Sequence, residues 1–451
     1  MRVASLTARV LVVGLAGLGG IVSLGPEVGA APPTPPDNPG RGMGWAGLAP
    51  GRSEHRCEGG FEIRGKADEV LGCTHGPDPA PAAVDPRVAR ATADLAGEAA
   101  ALPRPAPGPG TNGDGIACTG DGTSGYRIEA IYAIAGPTSA RPDRYAQVAP
   151  MIRSNYAPFV EWQFRSSAAE SGGEVHVPFV TTANGTSCTL VVRHEVLTST
   201  GDDSFSNTIA ELKARGYNRA DRRYMIWMDA SVLCGIGHVY RDSQPGPANA
   251  NNGHYTAFGR VDAACWGYGE GHELMHNLGG VQPDAPHATA NFHCWDDNDE
   301  MCYDDDGYGP VAMRAVCAGR DTRLFDCRHD DYFLAGTAPA GTWLASHWNT
   351  HNSRFLVQGP VTETFSGSFT SNRRSITHRF PSGPGTITVT VNEPTDSSVT
   401  ATVRAPDGSV LGRVAGRGTR TLTVAGAARG TYRLTMTGTL GSYASTVRHP
   451  A

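Results

Sequence analysis

The sequence predicts an α+β protein: a mixed, twisted sheet with helices over 116–360, then an antiparallel β-sandwich over 361–451. Three observations carry this reading. Between 126 and 278, β-branched and aromatic runs alternate with segments of helical apolar spacing. Beyond 361 come short alternating runs separated by turn residues such as Pro406-Asp407-Gly408. The 57 glycines, 32 prolines and a charged fraction of 18% exclude a coiled coil.

The elements follow in order. Residues 1–30 form a leader: Arg2 and Arg9 precede an apolar stretch over 10–24, and Val28-Gly29-Ala30 offers small residues for cleavage. That stretch falls short of the roughly 20 residues a spanning helix needs. Residues 31–115 are poor in core-forming side chains, with proline clusters at 32–36, 79–86 and 103–109. They read as a propeptide or a mobile N-terminal arm containing a short helix over 88–101. Strands are expected at 126–135, 174–180, 190–197 and 224–229, with an edge strand at 255–261. Helices are expected at 144–167, broken near Pro158, at 204–215 before Gly216, and at 268–278 before Gly279-Gly280. In the last module 386–391, 399–404, 420–424 and 432–436 read as strands.

Composition narrows the function. With 38 basic against 44 acidic residues the net charge is −6, which argues against a nucleic-acid partner held by phosphate contacts. No stretch after the leader is apolar enough to span a bilayer, so the mature chain is expected to be secreted and free of the membrane. The 10 cysteines suit an oxidising compartment. Nearest-neighbour pairing would join 57–73, 118–188, 234–265, 294–302 and 317–327. Cys57, within Arg56-Cys57-Glu58, could instead block a catalytic metal as a propeptide thiol, but the even count favours the Cys57–Cys73 bridge.

The strongest local signal is His272-Glu273-Leu274-Met275-His276. Histidines at i and i+4 of a helix share one face, so both imidazoles can reach one Zn²⁺ at about 2.0–2.1 Å. Glu273 is then placed beside a water whose pKa the zinc lowers to near 7, and it acts as general base in hydrolysis, a peptide bond being the usual target. Gly279-Gly280 ends the helix and turns the chain sharply.

These residues resemble the metzincin clan of zinc peptidases, whose motif is His-Glu-x-x-His-x-x-Gly-x-x-His followed by a turn with a methionine beneath the metal. The match runs through His272, Glu273, His276 and Gly279; Gln282 stands where the third histidine is expected. Asp299-Glu300-Met301-Cys302-Tyr303 resembles the Met-turn, with Met301 as its methionine and Tyr303 where related enzymes carry a tyrosine near the zinc. The resemblance implies that Tyr303 steadies the oxyanion or acts as a movable ligand. The third zinc ligand stays open: His293 is favoured because it lies eight residues before Met301, His287 is its rival, and Asp284 and Gln282 are weaker donors. Glu300 and Glu363 lie in an acidic turn and at a domain boundary, which argues against the gluzincin alternative of a glutamate ligand from a later helix. The C-terminal module is similar to the pre-peptidase C-terminal domains appended to secreted bacterial peptidases.

Asp296, Asp297, Asn298, Asp299, Asp304, Asp305 and Asp306 crowd the same turn, an oxygen density that suits Ca²⁺ or simply a solvated acidic loop. Asn184-Gly185-Thr186 is a glycosylation sequon. Trp343, His347, Trp348 and His351 share helical spacing and are expected to pack. The sequence therefore predicts a secreted zinc endopeptidase acting on protein or peptide substrates, with oligomeric state open. The competing expectation is a non-catalytic secreted binding or adhesion protein with a degenerate metal site.

Overall fold

A computed structural model of the chain describes residues 42–81, 84–86, 88, 90–106, 111–119, 121–182, 188–305, 312–382, 385–392, 398–428 and 430–450. The expected leader, the sequon at 184–186 and Asp306 lie outside the described residues.

The N-terminal segment is folded. After helix α1 (Gly42–Trp45), strands β1 (Leu48–Pro50), β2 (Phe61–Arg64) and β3 (Val70–Thr74) form an antiparallel sheet in that order, and Cys57–Cys73 closes it. The expectation of a loose arm fails here for a physical reason. The segment's few apolar side chains are placed where they count: Phe61 and Ile63 are fully buried, and Ile63, with Leu48 and Leu71, packs against the core of the next layer. Cys57 is therefore a structural cysteine and not a free thiol. Helix α2 (Thr92–Ala101) follows, four residues shorter than expected, and buries Leu95 and Ala99.

The central layer is a five-stranded mixed sheet. Strand β4 (Arg127–Ala135) leads to helix α3 (Tyr145–Met151), a π-helical turn over Ile152–Tyr156 and helix α4 (Ala157–Glu170). The expected break near Pro158 is thus a π turn just ahead of it. A two-residue strand β5 (Val175–His176) stands where a longer one was expected, because 177–180 joins the sheet only through the Ile128–Phe179 bridge. Strand β6 (Val192–Leu197), helix α5 (Phe205–Ala214), and strands β7 (Arg222–Met228), β8 (Gly235–Gly237) and β9 (Ala257–Asp262) complete the layer before helix α6 (Glu270–Asn277). The order is β6-β4-β7-β9-β8, parallel except for the antiparallel pair β8–β9. The strand at 255–261 was expected at the edge. It is not there, because the glycine-rich β8, which has almost no side-chain pattern to read, pairs outside it.

Strand β4 explains the packing. All nine of its residues are buried, and alternation sorts them between two faces. Ile128, Ala130, Tyr132 and Ile134 join Val148, Phe164 and Leu274 in one core; Ile131, Ala133 and Ala135 join Phe205, Ile209 and Leu212 in the other. A sheet covered on both faces is what a mostly parallel arrangement requires. Five disulfides form with the nearest-neighbour pairing expected from sequence. Trp343, His347, Trp348 and His351 do not lie on one helix; they flank short 3₁₀ turns at Trp343–Ala345 and Thr350–Asn352. Their packing role is visible at Trp348, whose Nε1 donates to the Leu278 carbonyl at 2.8 Å and closes the end of α6.

Strand β10 (Val357–Gln358) pairs with β5 and leads into a β-sandwich-like region. Its strands are β11 (Pro360–Phe369), β12 (Ser375–Ser382), β13 (Gly385–Asn392), β14 (Val399–Arg404), β15 (Val410–Gly416), β16 (Arg420–Gly426), β17 (Gly430–Gly438) and β18 (Gly441–Pro450). Two antiparallel sheets, β11-β18-β13-β16 and β12-β17-β14-β15, enclose Phe380, Val389, Val403, Leu434 and Val447. Among the described residues no helix is long and apolar enough to cross a membrane.

Candidate metal centre

Helix α6 is buried along its whole length and lies against β9 and β8. His272 and His276, one turn apart, bring their Nε2 atoms to 3.1 Å. Gly279, at φ +92°, ends the helix, and its N–H bonds the His276 carbonyl. The chain then loops back so that His293 Nε2 stands 3.2 Å from His276 Nε2. The Cys294–Cys302 bridge and the Cys294–Cys302 backbone pairing hold His293 beside the turn that carries Met301 and Tyr303.

The rings are oriented from behind. His272 Nδ1 lies 2.9 Å from the Glu300 carbonyl, and His293 Nδ1 lies 3.3 Å from Asp305 Oδ2, which the Thr289 hydroxyl also holds at 2.6 Å. A carbonyl can only accept, so His272 carries its proton on Nδ1 and aims a lone pair inward. Three ring nitrogens brought this close on one side are the donor arrangement that a bound cation would satisfy. Burial pushes His272 down to about 4 and His276 well below its ordinary value, which keeps both neutral as ligands must be. Burial lowers His293 too, but Asp305 and Asp78 outweigh it and raise the group.

Glu273 lies between β8 and the His75–Asp78 stretch that borders the imidazoles. A Cβ on Gly235 would stand 2.1 Å from Glu273 Oε1, and one on Gly237 2.6 Å from Oε2. The two glycines therefore make room for this carboxyl. Burial and the neighbouring Asp78 charge push Glu273 well above the usual carboxylate range. Tyr303 places its hydroxyl 2.9 Å from His293 Nε2.

Two residues that the sequence analysis did not single out complete the site, both from the N-terminal segment. Asp78 accepts the Tyr303 hydroxyl at Oδ1, which is also 3.5 Å from His293 Nε2; its Oδ2 is 3.5 Å from His272 Nε2. Burial opposes its ionisation, but the imidazoles around it and the hydrogen bond it shares with the proton-holding Glu273 keep Asp78 well below the usual range. The His75 ring stacks on His276 at 3.9 Å, and its Nε2 lies 3.3 Å from Glu273 Oε2. His75, Asp78, His276 and His293 together form a group able to hold a metal ion. The segment reaches them by lying along the free edge of β8: Asp78 N–H bonds the Gly235 carbonyl, Val239 N–H bonds the Cys73 carbonyl, and Thr74 bridges His238 antiparallel. The Thr74-His75-Gly76-Pro77-Asp78 run following Cys73 was the available signal.

The other candidates lie elsewhere. The His287 imidazole bonds Asp331. Gln282 spends its amide on Asp242 N–H and on the Tyr240 and Gly279 carbonyls. Asp284 accepts the Ser243 hydroxyl. Met301 is fully buried and its carbonyl receives Cys294 N–H.

No protein-family model and no curated protein matches the chain. Solved structures match over short stretches. The pre-peptidase C-terminal domain of collagenase from Bacillus anthracis is 16% identical, over 19% of this chain and 88% of that one, at a TM-score of 0.17. PliG of Aeromonas hydrophila, a periplasmic inhibitor of g-type lysozyme, is 23% identical over 19% and 83%, at 0.16. The C-terminal CBM6 of LamC from Zobellia galactanivorans is 14% identical over 19% and 97%, at 0.15.

Proposed function

We propose that this chain is a secreted zinc-dependent endopeptidase of the metzincin type, with His272, His276 and His293 as the protein ligands. The observation that carries the reading is the pair of Nε2–Nε2 separations, 3.1 and 3.2 Å, with a buried carboxyl alongside. Tetrahedral zinc with bonds of 2.0–2.1 Å holds its nitrogens about 3.3 Å apart, so the donor set fits that ion. Secretion rests on the 1–30 leader pattern and the five disulfides.

Bound there, zinc supplies a Lewis acid that polarises a peptide carbonyl and acidifies water. The protein's groups do the rest. Glu273 takes a proton from the attacking water and passes it to the departing amide nitrogen. The Tyr303 hydroxyl donates to the oxygen that becomes negative as the carbonyl is attacked. The free edge of β8 offers backbone groups to an extended substrate chain. In the arrangement described, residues 73–78 take that edge and Asp78 takes the Tyr303 proton. The N-terminal segment therefore keeps the site closed until it is displaced.

Metal analysis and casein cleavage test this together. The expected result is one zinc per chain, lost in His272→Ala, and cleavage abolished in Glu273→Ala with zinc retained. A folded chain that holds zinc, even with the segment before Val84 removed, and cleaves no peptide pool would favour the non-catalytic binding protein instead.

A further inference from the structure

The β-sandwich region carries a charge opposite to that of the chain. Residues 361–451 hold ten arginines, no lysine and four carboxylates, a formal charge of +6, whereas the whole chain carries −6. Such asymmetry between parts of one chain points to a charged partner.

Strand register gathers part of that charge into one row. On the sheet β12-β17-β14-β15, Arg379 stands opposite Arg433, and Arg433 stands opposite Arg404. Their strand neighbours Phe380, Leu434 and Val403 are fully buried, so alternation turns all three guanidinium groups to the outer face. Arg379 and Arg433 are exposed; Arg404 is half-buried, with Nη1 donating to the Gly408 carbonyl at 3.0 Å. Like charges directly opposite one another destabilise a sheet. No carboxylate stands on any of the four strands, and among the described residues none of the three arginines forms an ion pair. Asp407, in the turn after β14, is taken up by Ser409. The adjoining row is one of hydroxyls, Thr377, Thr435 and Thr402, and it ends in a fourth exposed cation, Arg413.

The chemistry of the face selects the partner. A guanidinium fork takes a carboxylate at two points, and threonine hydroxyls exchange hydrogen bonds with other hydroxyls. The outward positions hold no aromatic ring on which a base could stack. Val410 is the one large apolar side chain exposed on these strands, too little to enter a bilayer. We propose that this arginine row is a docking surface for an acidic polysaccharide, a polyuronate chain lying across β12, β17 and β14. The surface uses no residue of the metal centre and stands whether or not the chain cleaves peptides.

The test uses the full mature chain carrying Glu273→Ala, to prevent self-cleavage. Native gels with and without sodium polygalacturonate show binding as retardation, and calorimetry at low and at physiological salt gives affinities. Retardation by polygalacturonate and not by neutral dextran is expected, with affinity falling as salt rises. Arg433→Gln should weaken binding about tenfold and Arg379→Gln several-fold, both with Tm unchanged. Arg417→Gln removes the same charge from the exposed turn between β15 and β16 and should change affinity less than about twofold. No retardation of the folded parent overturns the site, as do equal losses in Arg433→Gln and Arg417→Gln. Tighter binding to single-stranded DNA or to phosphatidylglycerol vesicles than to polygalacturonate, lost in Arg433→Gln, overturns the assignment to a polysaccharide.

Discussion

The Tyr303 hydroxyl donates to Asp78 Oδ1 at 2.6 Å, joining residues 225 positions apart in the chain. Tyr303 belongs to the turn beside the three imidazoles, and Asp78 belongs to the N-terminal segment. The bond does two things at once. It engages the hydroxyl that in the proposed mechanism would meet the oxyanion, and it fixes a carboxylate 3.5 Å from the Nε2 atoms of His272 and His293. In the proposed enzyme a carboxylate there would compete with water and substrate for the metal.

Asp78→Ala should therefore raise peptide cleavage by the chain with its N-terminal segment intact, by roughly tenfold or more. The gain stays below that from removing the segment, because the backbone bonds to Gly235 and Val239 do not involve the carboxylate. Initial rates on a fluorogenic peptide, normalised to zinc content, measure it. Unchanged or lower rates in a zinc-loaded Asp78→Ala protein would sink the occlusion reading.

Gly235→Ala should damage catalysis far more than folding. The glycine sits in a strand with no positive φ, so alanine suits the backbone. Its Cβ, however, would meet Glu273 Oε1 at 2.1 Å, and the far end of that side chain must move. Stability is expected to change by less than about 2 kcal/mol, while kcat falls about 10²-fold or more because the general base is misplaced. Urea melts beside steady-state kinetics check both halves; a large stability loss with kcat intact refutes it.

The parts legible in the sequence were those with a local signature. The i,i+4 histidines needed only helical geometry, and β4, α5 and α6 were readable from periodicity. The spacing to Met301 singled out His293, whose Nε2 the fold brings to 3.2 Å from that of His276. Strand β8 was not, since Gly235-Ile236-Gly237 has one side chain to show a pattern, and its glycines are there to accommodate Glu273. His75 and Asp78 were missed for another reason. They follow a disulfide in a proline-flanked stretch, and their role exists only once the segment lies along the free edge of β8. Long-range pairing of that kind leaves no period in the sequence.

The choice between His293 and His287 is decided by metal stoichiometry. His293→Ala should weaken zinc binding by more than about 10²-fold, whereas His287→Ala should leave one zinc per chain. Asp305→Asn should fall between, at about 10–100-fold, because Asp305 Oδ2 orients His293 from Nδ1 without touching the metal. Competition with a chromogenic chelator gives the three affinities. Equal zinc affinity in His293→Ala and the parent would remove His293 from the ligand set.

Acid should destabilise the fold through histidines outside the metal centre. His238 is fully buried against Phe205 and Phe258, and burial, with Lys213 nearby, pushes it down to about 3. Burial likewise pushes His351 down to about 4. Each stays neutral in the folded chain but takes a proton in the unfolded chain below pH 6.5. The unfolded state then binds more protons, so stability is complete above pH 6.5 and falls as pH drops toward 4 and 3. Each group contributes a slope of about 1.4 kcal/mol per pH unit in that window. Urea melts of parent and His238→Leu between pH 7.5 and 4.5 isolate one of them, since the metal-site histidines are common to both proteins. The variant should lose about one proton's worth of slope. Parallel pH profiles would mean that His238 already carries its proton in the folded state.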